Sequence, residues 1–537
     1  MGCSRIILLF CLLLPGILPA QEALKSAEED YYDFLSLQGL TERPALNYRT
    51  LSDSVWIVEA AAEHPWQGNN LGAWHSLFGD FRLRAYGPEL FMSGNTAAPY
   101  GQNDGVLWQG RGFNALLKGG ARFEGYGVEL TILPHLAFSQ NAAFDFIQPA
   151  YSGPDFLDKG EKYGYYGVWG IDAPQRFGDK PFFDWDLGDS EIRYAWKTLT
   201  IGFGTQAIWL GPAQLNPIIH SNNAASYPKL DIGLRRQAMV IPRLGWHIGD
   251  IEFRTWWGYL SESDWFDNND SNDHNLITGI AVAYSFPSIF KGLTVGFNRI
   301  MLSKWNEMNY GSVFTLLWPF MDDSAGSDDS DQRASIIVDY LLPIVEVNVY
   351  FEWGRNDFSP DNPLIYPFHT EAYTFGVKKS LKFLNSLYGE ILFEISKADA
   401  TPDYLIPGGW PTTFYAHHII AQGHTNRGQW LGPGIGTGGN SQYLEFRLIY
   451  PRGYGYIFVQ RRNPDLDYFW FYDSLNVPKT ESAQNTYLDI GLSKFFWITR
   501  NLSTNSDLVF RNEWFSPANE YSSQFNIYFS LLLKYHY

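Results

Sequence analysis

The chain has 537 residues, a formal net charge of −18 and two cysteines. Such an acidic chain lacks the basic surface that nucleic-acid binding requires, so nucleic acid is not an expected partner. Aromatic residues make up 17% of the sequence, and the mean hydropathy of −0.21 is too polar for a bundle of membrane helices. This composition is typical of a transmembrane β-barrel with aromatic girdles, or of a surface that binds carbohydrate.

The N-terminus has the pattern of a secretory signal peptide. Arg5 provides a positive charge, Ile6–Leu14 forms an apolar core, and cleavage is predicted after Ala20. Both cysteines precede this site, so the mature chain is expected to have neither a disulfide nor a thiol site. Residues 1–20 are therefore predicted to direct the protein into the secretory pathway.

Residues 21–110 are predicted to form a periplasmic N-terminal segment, helical in part and irregular in part. An amphipathic helix is predicted from Glu22 to about Leu40, because its aromatic and leucine side chains recur at helical spacing. The sequence from 68 to 112 is rich in glycine, asparagine and proline, and is predicted to be irregular. This segment is a candidate plug for a barrel.

From residue 111 onward, apolar and polar residues alternate in repeated segments of strand length. The clearest one runs from Val345 to Trp353, where apolar residues alternate with Glu, Asn and Tyr. Alternate side chains of a strand point to opposite faces, and charged residues on the inner face suit a polar barrel lumen. Roughly 14 to 18 such segments occur, and bacterial single-chain barrels have an even number of strands. Residues 111–537 are therefore predicted to form an all-β, antiparallel transmembrane barrel in the outer membrane.

The last segment, Phe525–Tyr537, has the same pattern and ends on an aromatic residue. Its length suits a tilted transmembrane strand, which needs about 9–11 residues. Taken alone, it is equally compatible with the last strand of a soluble β-sandwich. In a barrel it is expected to close the sheet by pairing with the first strand, near Phe113–Glu124 or slightly earlier.

The connections between these segments fall into two classes. Tight turns are predicted at Lys197-Thr198, at Gly249-Asp250 and around Pro343, whereas Ser261–Asn275 and Ala400–Asn440 are long and polar. Short turns at one rim and long loops at the other are the arrangement of bacterial barrels. The long connections are therefore expected outside the cell.

Some polar clusters allow more than one interpretation. The acidic stretches Glu262–Asn275 and Asp322–Asp331 are either solvated external loops or sites for divalent cations, and neither fits an EF-hand. His417 and His418 are adjacent, and neighbouring strand residues point to opposite faces, so they are not expected to share a metal. The sequence has neither a Gly-x-Ser-x-Gly elbow nor a His-Glu-x-x-His helix. No cofactor, no metal and no enzymatic activity are expected.

Two stretches rich in Gly, Pro, Asn and Trp interrupt the strand pattern, Trp209–Pro228 and Phe414–Ser441. Glycine, proline and asparagine are the residues of ordinary turns, so these stretches are either loop structure or a polar, aromatic surface for sugars. Asparagine and arginine can hydrogen-bond sugar hydroxyls, and aromatic rings can stack on sugar faces.

Motifs in these stretches and elsewhere resemble those of the Wzi family of outer-membrane capsule-assembly proteins. They are Trp209–Pro212, Ser221–Ala224, Arg299–Met301, Tyr415–His418 with Gly423 and Leu431-Gly432, and Asn103–Gly112, which resembles the spirochaete and Bacteroidetes branches of the family. The resemblance implies an 18-stranded barrel with an N-terminal helical plug at the periplasmic end. It also implies a lectin-like role in holding exported polysaccharide and organising a capsule. The helical part of this chain looks shorter than in the family, so a reduced plug is expected.

The expected function is therefore binding of capsular or other surface polysaccharide by a monomeric barrel that also contacts outer-membrane lipid. The alternative is a porin or a substrate-specific channel. The strands of such a channel would show the same sequence pattern, so the pattern does not distinguish the two functions. The residues expected to bind polysaccharide are Trp209, Asn222, Asn223, Trp410, Tyr415, Asn426, Arg427 and Trp430.

Overall fold

The computed structural model describes residues 20–59, 64–147, 149, 158–166, 171–287, 290–314, 330–356, 370–384, 386–399, 414–417, 419–466, 485–515 and 522–537. Within them the chain forms a closed antiparallel barrel of 18 strands, which confirms the predicted fold class. The predicted signal peptide lies outside the described residues except for Ala20. No helix among the described residues is long and apolar enough to span a membrane.

The barrel strands are numbered in chain order, and β3 and β4 each consist of two pieces. They are β1 Arg82–Asn95, β2 Gly112–Gly125, β3 Val128–Ile132 with His135–Ser139, β4 Phe182–Asp186 with Glu191–Trp196, β5 Leu199–Gly204, β6 Lys229–Ile241, β7 Trp246–Ser261, β8 His274–Phe286, β9 Leu293–Lys304, β10 Ser330–Leu342, β11 Val347–Asn356, β12 Glu371–Leu384, β13 Leu387–Lys397, β14 Asn440–Tyr450, β15 Gly453–Asn463, β16 Asn485–Trp497, β17 Leu502–Phe515 and β18 Ser522–Tyr535. The helices are α1 Ala27–Leu37, α2 Asp158–Tyr163 and α3 Tyr310–Phe314, with 3-10 turns at Trp305–Glu307 and Pro343–Val345.

The final strand closes the barrel and has the predicted two faces. Phe529 and Leu531 are exposed on the outside, while Asn526, Tyr528 and Ser530 are buried on the inside. β18 pairs with β1, with Tyr528 opposite Asn95. The outer row is apolar because it faces lipid, and the inner row is polar because it faces the filled lumen.

The barrel begins earlier than the sequence predicts. Its first strand is Arg82–Asn95, so the barrel starts before residue 111, and within the stretch 68–112 the irregular structure expected there is replaced by this strand. The register of β1 against β2 shifts between Tyr86 and Glu89, around Gly87-Pro88. This bulge interrupts the alternation of apolar and polar residues. Because strands are predicted from that alternation, the sequence pattern does not reveal this strand.

The turns at one rim are short and the connections at the other rim are long. Residues 126–127 join β2 to β3, and 242–245 join β6 to β7. The turn predicted at Gly249-Asp250 is wrong, because both residues lie inside β7. In bacterial barrels the short turns face the periplasm, so this rim is called the periplasmic rim here and the other one the extracellular rim.

The N-terminal segment fills the lumen next to the periplasmic rim. Ser26 caps α1 by accepting the N–H of Glu29 at 3.3 Å. Glu28 and Asp33 on α1 form ion pairs with Lys534 of β18 and Lys378 of β12, at 2.9 and 2.7 Å. Because these partners lie on distant parts of the barrel wall, the ion pairs hold α1 across the lumen.

Aromatic packing adds to these ion pairs. Trp66 is fully buried and stacks on Tyr31 of α1 with ring centroids 4.0 Å apart. Its other neighbours are Tyr454 and Phe495 of the barrel wall, at 6.0 and 4.9 Å. A short three-stranded sheet of Ala20–Glu22, Thr41–Glu42 and Val55–Val58 completes this part.

The connection between β5 and β6, residues 205–228, folds into the lumen rather than away from the cell, and is called the inner segment here. Its residues Trp209–Leu210 pair with Tyr48–Arg49 of the N-terminal segment. The carboxylate of Glu394 on β13 accepts the N–H groups of Gln214, Leu215 and Asn216 at 2.7 to 3.1 Å. A buried carboxylate that accepts several N–H groups is well compensated, so this contact fixes the inner segment to the wall.

Candidate functional site

A cavity of about 450 Å³ lies inside the barrel at the extracellular rim. Its walls come from the connection between β1 and β2, the connection between β3 and β4, residues 428–437, and the extracellular ends of β15 to β18. The described residues that line it include seven aromatic side chains: Trp108, Phe144, Phe146, Tyr165, Tyr166, Trp430 and Tyr487. The polar and charged lining includes Asp104, Gln109, Asn223, Arg462, Asp465, Arg511 and Glu513.

Trp430 and Tyr165 form one aromatic corner of the cavity. Their rings meet edge to face with centroids 5.5 Å apart, and the Tyr165 hydroxyl donates a hydrogen bond to Asp465. Gly436 lies against the indole with a φ of +74°, and a Cβ there would lie 3.0 Å from Trp430. Glycine is therefore required at 436 both for the left-handed backbone and for the close approach of the indole.

Two arginines, Arg462 and Arg511, form another part of the cavity wall. Arg511 donates from Nε and Nη2 to the carboxylate of Asp489, at 2.7 and 2.8 Å. Its guanidinium lies over the rings of Tyr100 and Tyr487, at 4.3 and 4.7 Å from their centroids. Bidentate pairing and cation–π contact fix the orientation of a guanidinium, so this wall is rigid.

The Arg462 guanidinium is less completely paired than that of Arg511. Its Nη2 lies 3.4 Å from Asp489, and its buried Nε has no acceptor among the described residues. The cavity thus combines flat aromatic faces with guanidinium and carboxyl groups.

The acid Asp104 adds a group whose charge changes near neutral pH. Desolvation raises the pKa of Asp104 to about 7, against the opposing effects of its hydrogen bond with Gln109 and the charge of Lys118. The carboxyl group is therefore partly protonated at neutral pH, so it can donate as well as accept hydrogen bonds.

The structure brings only some of the predicted polysaccharide-binding residues to this cavity. Trp430 and Asn223 line it. Asn222 lies next to them, and its carbonyl oxygen accepts the N–H of Gly105 at 2.9 Å. Arg427 pairs instead with Asp184 of β4, away from the cavity lining. Trp410 lies outside the described residues.

The other three predicted residues are buried in the lumen and already have protein partners. Trp209 donates from Nε1 to the carbonyl of Ala213 at 3.0 Å, and Tyr415 donates to the carbonyl of Ile218 at 2.8 Å. Asn426 donates to the carbonyl of Ala225 at 2.9 Å. These side chains join the inner segment to residues 414–431 and to itself, and they do not reach the cavity in this structure.

Sequence reasoning missed most of the cavity. Tyr165 and Tyr166 lie in a glycine-rich stretch whose only signal is the adjacent pair of tyrosines. From the sequence, Arg462 and Arg511 are predicted only as inward-facing strand residues. The alternation of apolar and polar residues predicts which side of the sheet a side chain lies on, but not which residues it meets across the barrel. Trp108 lies in the Asn103–Gly112 motif, which resembles a family motif but does not by itself indicate a binding role for this tryptophan.

The metal-binding alternatives gain no support from the described part of the chain. There, no three His, Cys, Asp or Glu side chains are grouped so as to hold a metal ion. His417 accepts the N–H groups of Ile419 and Ile420, both at 3.2 Å. His418 and residues 322–329 of the second acidic stretch lie outside the described residues.

The fold and the cavity define an outer-membrane β-barrel whose lumen is occupied by its own N-terminal and inner segments. The chain belongs to the family described as capsule assembly protein Wzi, whose model matches residues 163–450, more than half of the sequence. This confirms the resemblance seen in the motifs and the predicted location in the outer membrane.

One of two similar solved structures supports the same fold. The chain is similar to Wzi of Escherichia coli, an outer-membrane protein described as a carbohydrate-binding β-barrel involved in group 1 capsule assembly, with 14% identity, 85% of each chain covered and a TM-score of 0.54. OccAB4 of Acinetobacter baumannii gives a TM-score of 0.40 at 7% identity, over 85% of this chain and 98% of that one. No curated protein sequence matches this chain.

Proposed function

We propose that this protein holds exported polysaccharide at the cell surface by binding its sugar units in the extracellular cavity, and that it does so without cleaving them. The observation that carries the proposal is the cavity itself, which is lined by the Trp430–Tyr165 corner and by Arg462 and Arg511. Pockets of this kind, with aromatic faces and a few placed polar groups, are typical of small-ligand sites. Membership in the Wzi family, and the carbohydrate binding described for the E. coli protein, support the same function.

The charges of the cavity favour polysaccharides of low charge. Among the described residues that line it, four are acidic, Asp104, Asp145, Asp465 and Glu513, and two are arginines, Arg462 and Arg511. The whole chain also carries a net charge of −18. Like charges repel across an interface, so a strongly anionic polymer is expected to bind more weakly than a neutral one at low salt.

The porin alternative is disfavoured by the contents of the lumen. The N-terminal segment lies across it near the periplasmic rim, and the inner segment lies above it, held by Glu394 and by pairing with Tyr48–Arg49. An open channel would require both the N-terminal segment and the inner segment to move out of the lumen. In planar bilayers we expect no large, stable conductance, and a conductance of that kind would contradict the proposal as the sole function.

The test is binding of purified barrel to an array of neutral and acidic polysaccharides, at low and high salt. The proposal predicts saturable binding to at least one surface polysaccharide, with no release of shorter sugars after prolonged incubation. Binding to none of them would overturn it, and shortened products would overturn the non-catalytic part.

A further inference from the structure

The connection after β9 folds back along the outside of the barrel. Its described part, Trp305–Phe314, is called the outer-wall segment here. Trp257 of β7 donates from Nε1 to the carbonyl of Val313 at 2.8 Å. Trp257 belongs to the outward-facing row of β7, because the neighbouring Trp256 is fully buried inside. The outer-wall segment therefore touches the surface that faces lipid.

Aromatic contacts place the beginning of the segment on the same surface. The ring of Trp305 meets the outward-facing ring of Tyr259 edge to face, at 4.8 Å between centroids. Asn306 donates to the carbonyl of Ser271 at 2.7 Å, which ties the segment to the neighbouring connection. The segment is thus attached to the wall at both ends and at its flank.

The segment descends below the extracellular rim. Trp257 lies opposite Thr278 on β8, which lies opposite Met301 on β9. Met301 is three residues before the end of β9 at Lys304, a distance of about 10 Å along a strand. Outward-facing Thr278 and Met301 are only 1% and 3% exposed, whereas outward-facing Phe203 on β5 is 56% exposed. This part of the wall is therefore covered, not open.

The exposed face of the outer-wall segment combines large apolar and aromatic side chains with polar ones. Met308, Tyr310 and Phe314 are 45%, 80% and 36% exposed, and Asn306, Glu307 and Asn309 are exposed beside them. Ser312 donates from its N–H to the side chain of Asn309 at 3.1 Å, and from its hydroxyl to the Asn309 carbonyl at 2.9 Å. Aromatic and polar side chains on one face suit the zone where headgroups meet acyl chains, in which amphipathic aromatic side chains are enriched.

We propose that the outer-wall segment lies in the outer leaflet of the membrane and anchors the extracellular rim to lipid. Lipid is the favoured partner because the segment is continuous with the apolar outer surface of the barrel and, at its Val313 end, reaches about 10 Å below the strand ends. The exposed side chains Met308, Tyr310 and Phe314 contact the acyl chains near the headgroups. The ion pair of Lys304 with Glu307, at 3.4 Å, stays at the level of the headgroups.

The test uses single spin labels, which the sequence makes simple because both cysteines, Cys3 and Cys11, lie in the predicted signal peptide. The labelled variant is Tyr310→Cys in lipid bilayers, with Met308→Cys as a second position should the first fail to fold. Phe529→Cys on the lipid-facing side of β18 is the lipid reference. Asn268→Cys, exposed in the connection between β7 and β8, is the aqueous reference.

Relaxation by oxygen and by a water-soluble nickel complex gives the environment of each label. The proposal predicts that the ratio of oxygen to nickel relaxation at 310 and 308 approaches that at 529 and exceeds that at 268. A ratio equal to that at 268 overturns it. Low access to both reagents together with dipolar broadening also overturns it, because that result would show a second copy of the chain covering the segment.

Discussion

The side-chain amide of Asn223 donates a hydrogen bond to the carbonyl oxygen of Trp430, at 3.1 Å. The Oδ1 atom of the same side chain accepts the N–H of Asn103 at 3.0 Å. One asparagine therefore joins three connections that are distant in sequence, and all three line the extracellular cavity. The position of the Trp430 ring thus depends on contacts made by the inner segment.

Replacing Trp430 tests the aromatic corner. Trp430→Ala is expected to weaken polysaccharide binding about two- to tenfold, because an aromatic contact contributes about 0.5–1.5 kcal/mol beyond the buried area. The measurement is binding of the purified barrel by titration calorimetry. The matched control is Trp185→Ala, which removes an exposed tryptophan from β4 outside the cavity. Equal losses in the two variants would contradict a specific role for Trp430.

Removing the Asn223 side chain tests the link between the connections. Asn223→Ala deletes a donor and an acceptor, and is expected to destabilise this part of the rim by about 1–3 kcal/mol. We expect faster hydrogen exchange at the N–H of Asn103 and in residues 428–437, with the barrel itself still resistant to heat in detergent. Unchanged exchange in both places would show that other contacts hold these connections.

We expect the carboxylate of Glu394 to hold the inner segment in its position in the lumen. Glu394→Ala leaves three backbone N–H groups without their carboxylate, with a cost on the order of 3 kcal/mol. The prediction is rapid exchange at residues 214–216. Glu371→Ala on the neighbouring strand β12 is the control, since that carboxylate accepts from Trp353 instead. Slow exchange at 214–216 in Glu394→Ala would contradict this account of the lumen.

Docking of α1 is expected to depend on pH. Burial by itself would raise the pKa of both acids, but Lys534 and His536 lower the pKa of Glu28 to about 2, and Lys378 and Arg43 lower that of Asp33 to about 2. Because both values lie below those of the unfolded chain, the stabilisation is complete at neutral pH. It decreases below about pH 4.5 and is lost near pH 2, with on the order of 2–3 kcal/mol from each acid.

The measurement is hydrogen-exchange protection of α1 at several pH values. Protection should hold at pH 7 and fall between pH 4.5 and 2. In Lys534→Met, protection should already be lower at pH 7 and its fall between pH 4.5 and 2 should be smaller, because the pKa of Glu28 is no longer lowered by that charge. Lys197→Met, in an exposed turn of the periplasmic rim, should behave like the natural chain. Protection that persists to pH 2 would contradict the role of these ion pairs.

Much of the barrel follows from the sequence because its signal is local. In β11 the outward Phe351 and the inward Asn348 and Glu352 occupy the predicted faces. β1 was missed because the bulge at Gly87-Pro88 breaks the alternation. The length and polarity of a connection also do not reveal that it turns inward, although the apolar pair Ile218-Ile219 is a signal that the inner segment avoids water.

The cavity was less predictable than the barrel, for a different reason. Its lining is assembled from residues as far apart as Gln109 and Glu513, and their proximity depends on closure of the whole barrel. Trp430 and Asn223 were found because they lie in motifs of unusual composition. The buried Trp209, Tyr415 and Asn426 belong to the same motifs but hold the segments in place, and composition alone does not separate these two roles.

The most direct test of the account is a hydrogen-exchange footprint of the purified barrel, with and without the polysaccharide that the array identifies. The account predicts slower exchange on binding in residues 98–109 and 428–437, which line the cavity. It predicts no change in the connection between β7 and β8. Protection confined to that connection, or no protection at the cavity under saturating polysaccharide, would contradict the claim that the extracellular cavity is the binding site.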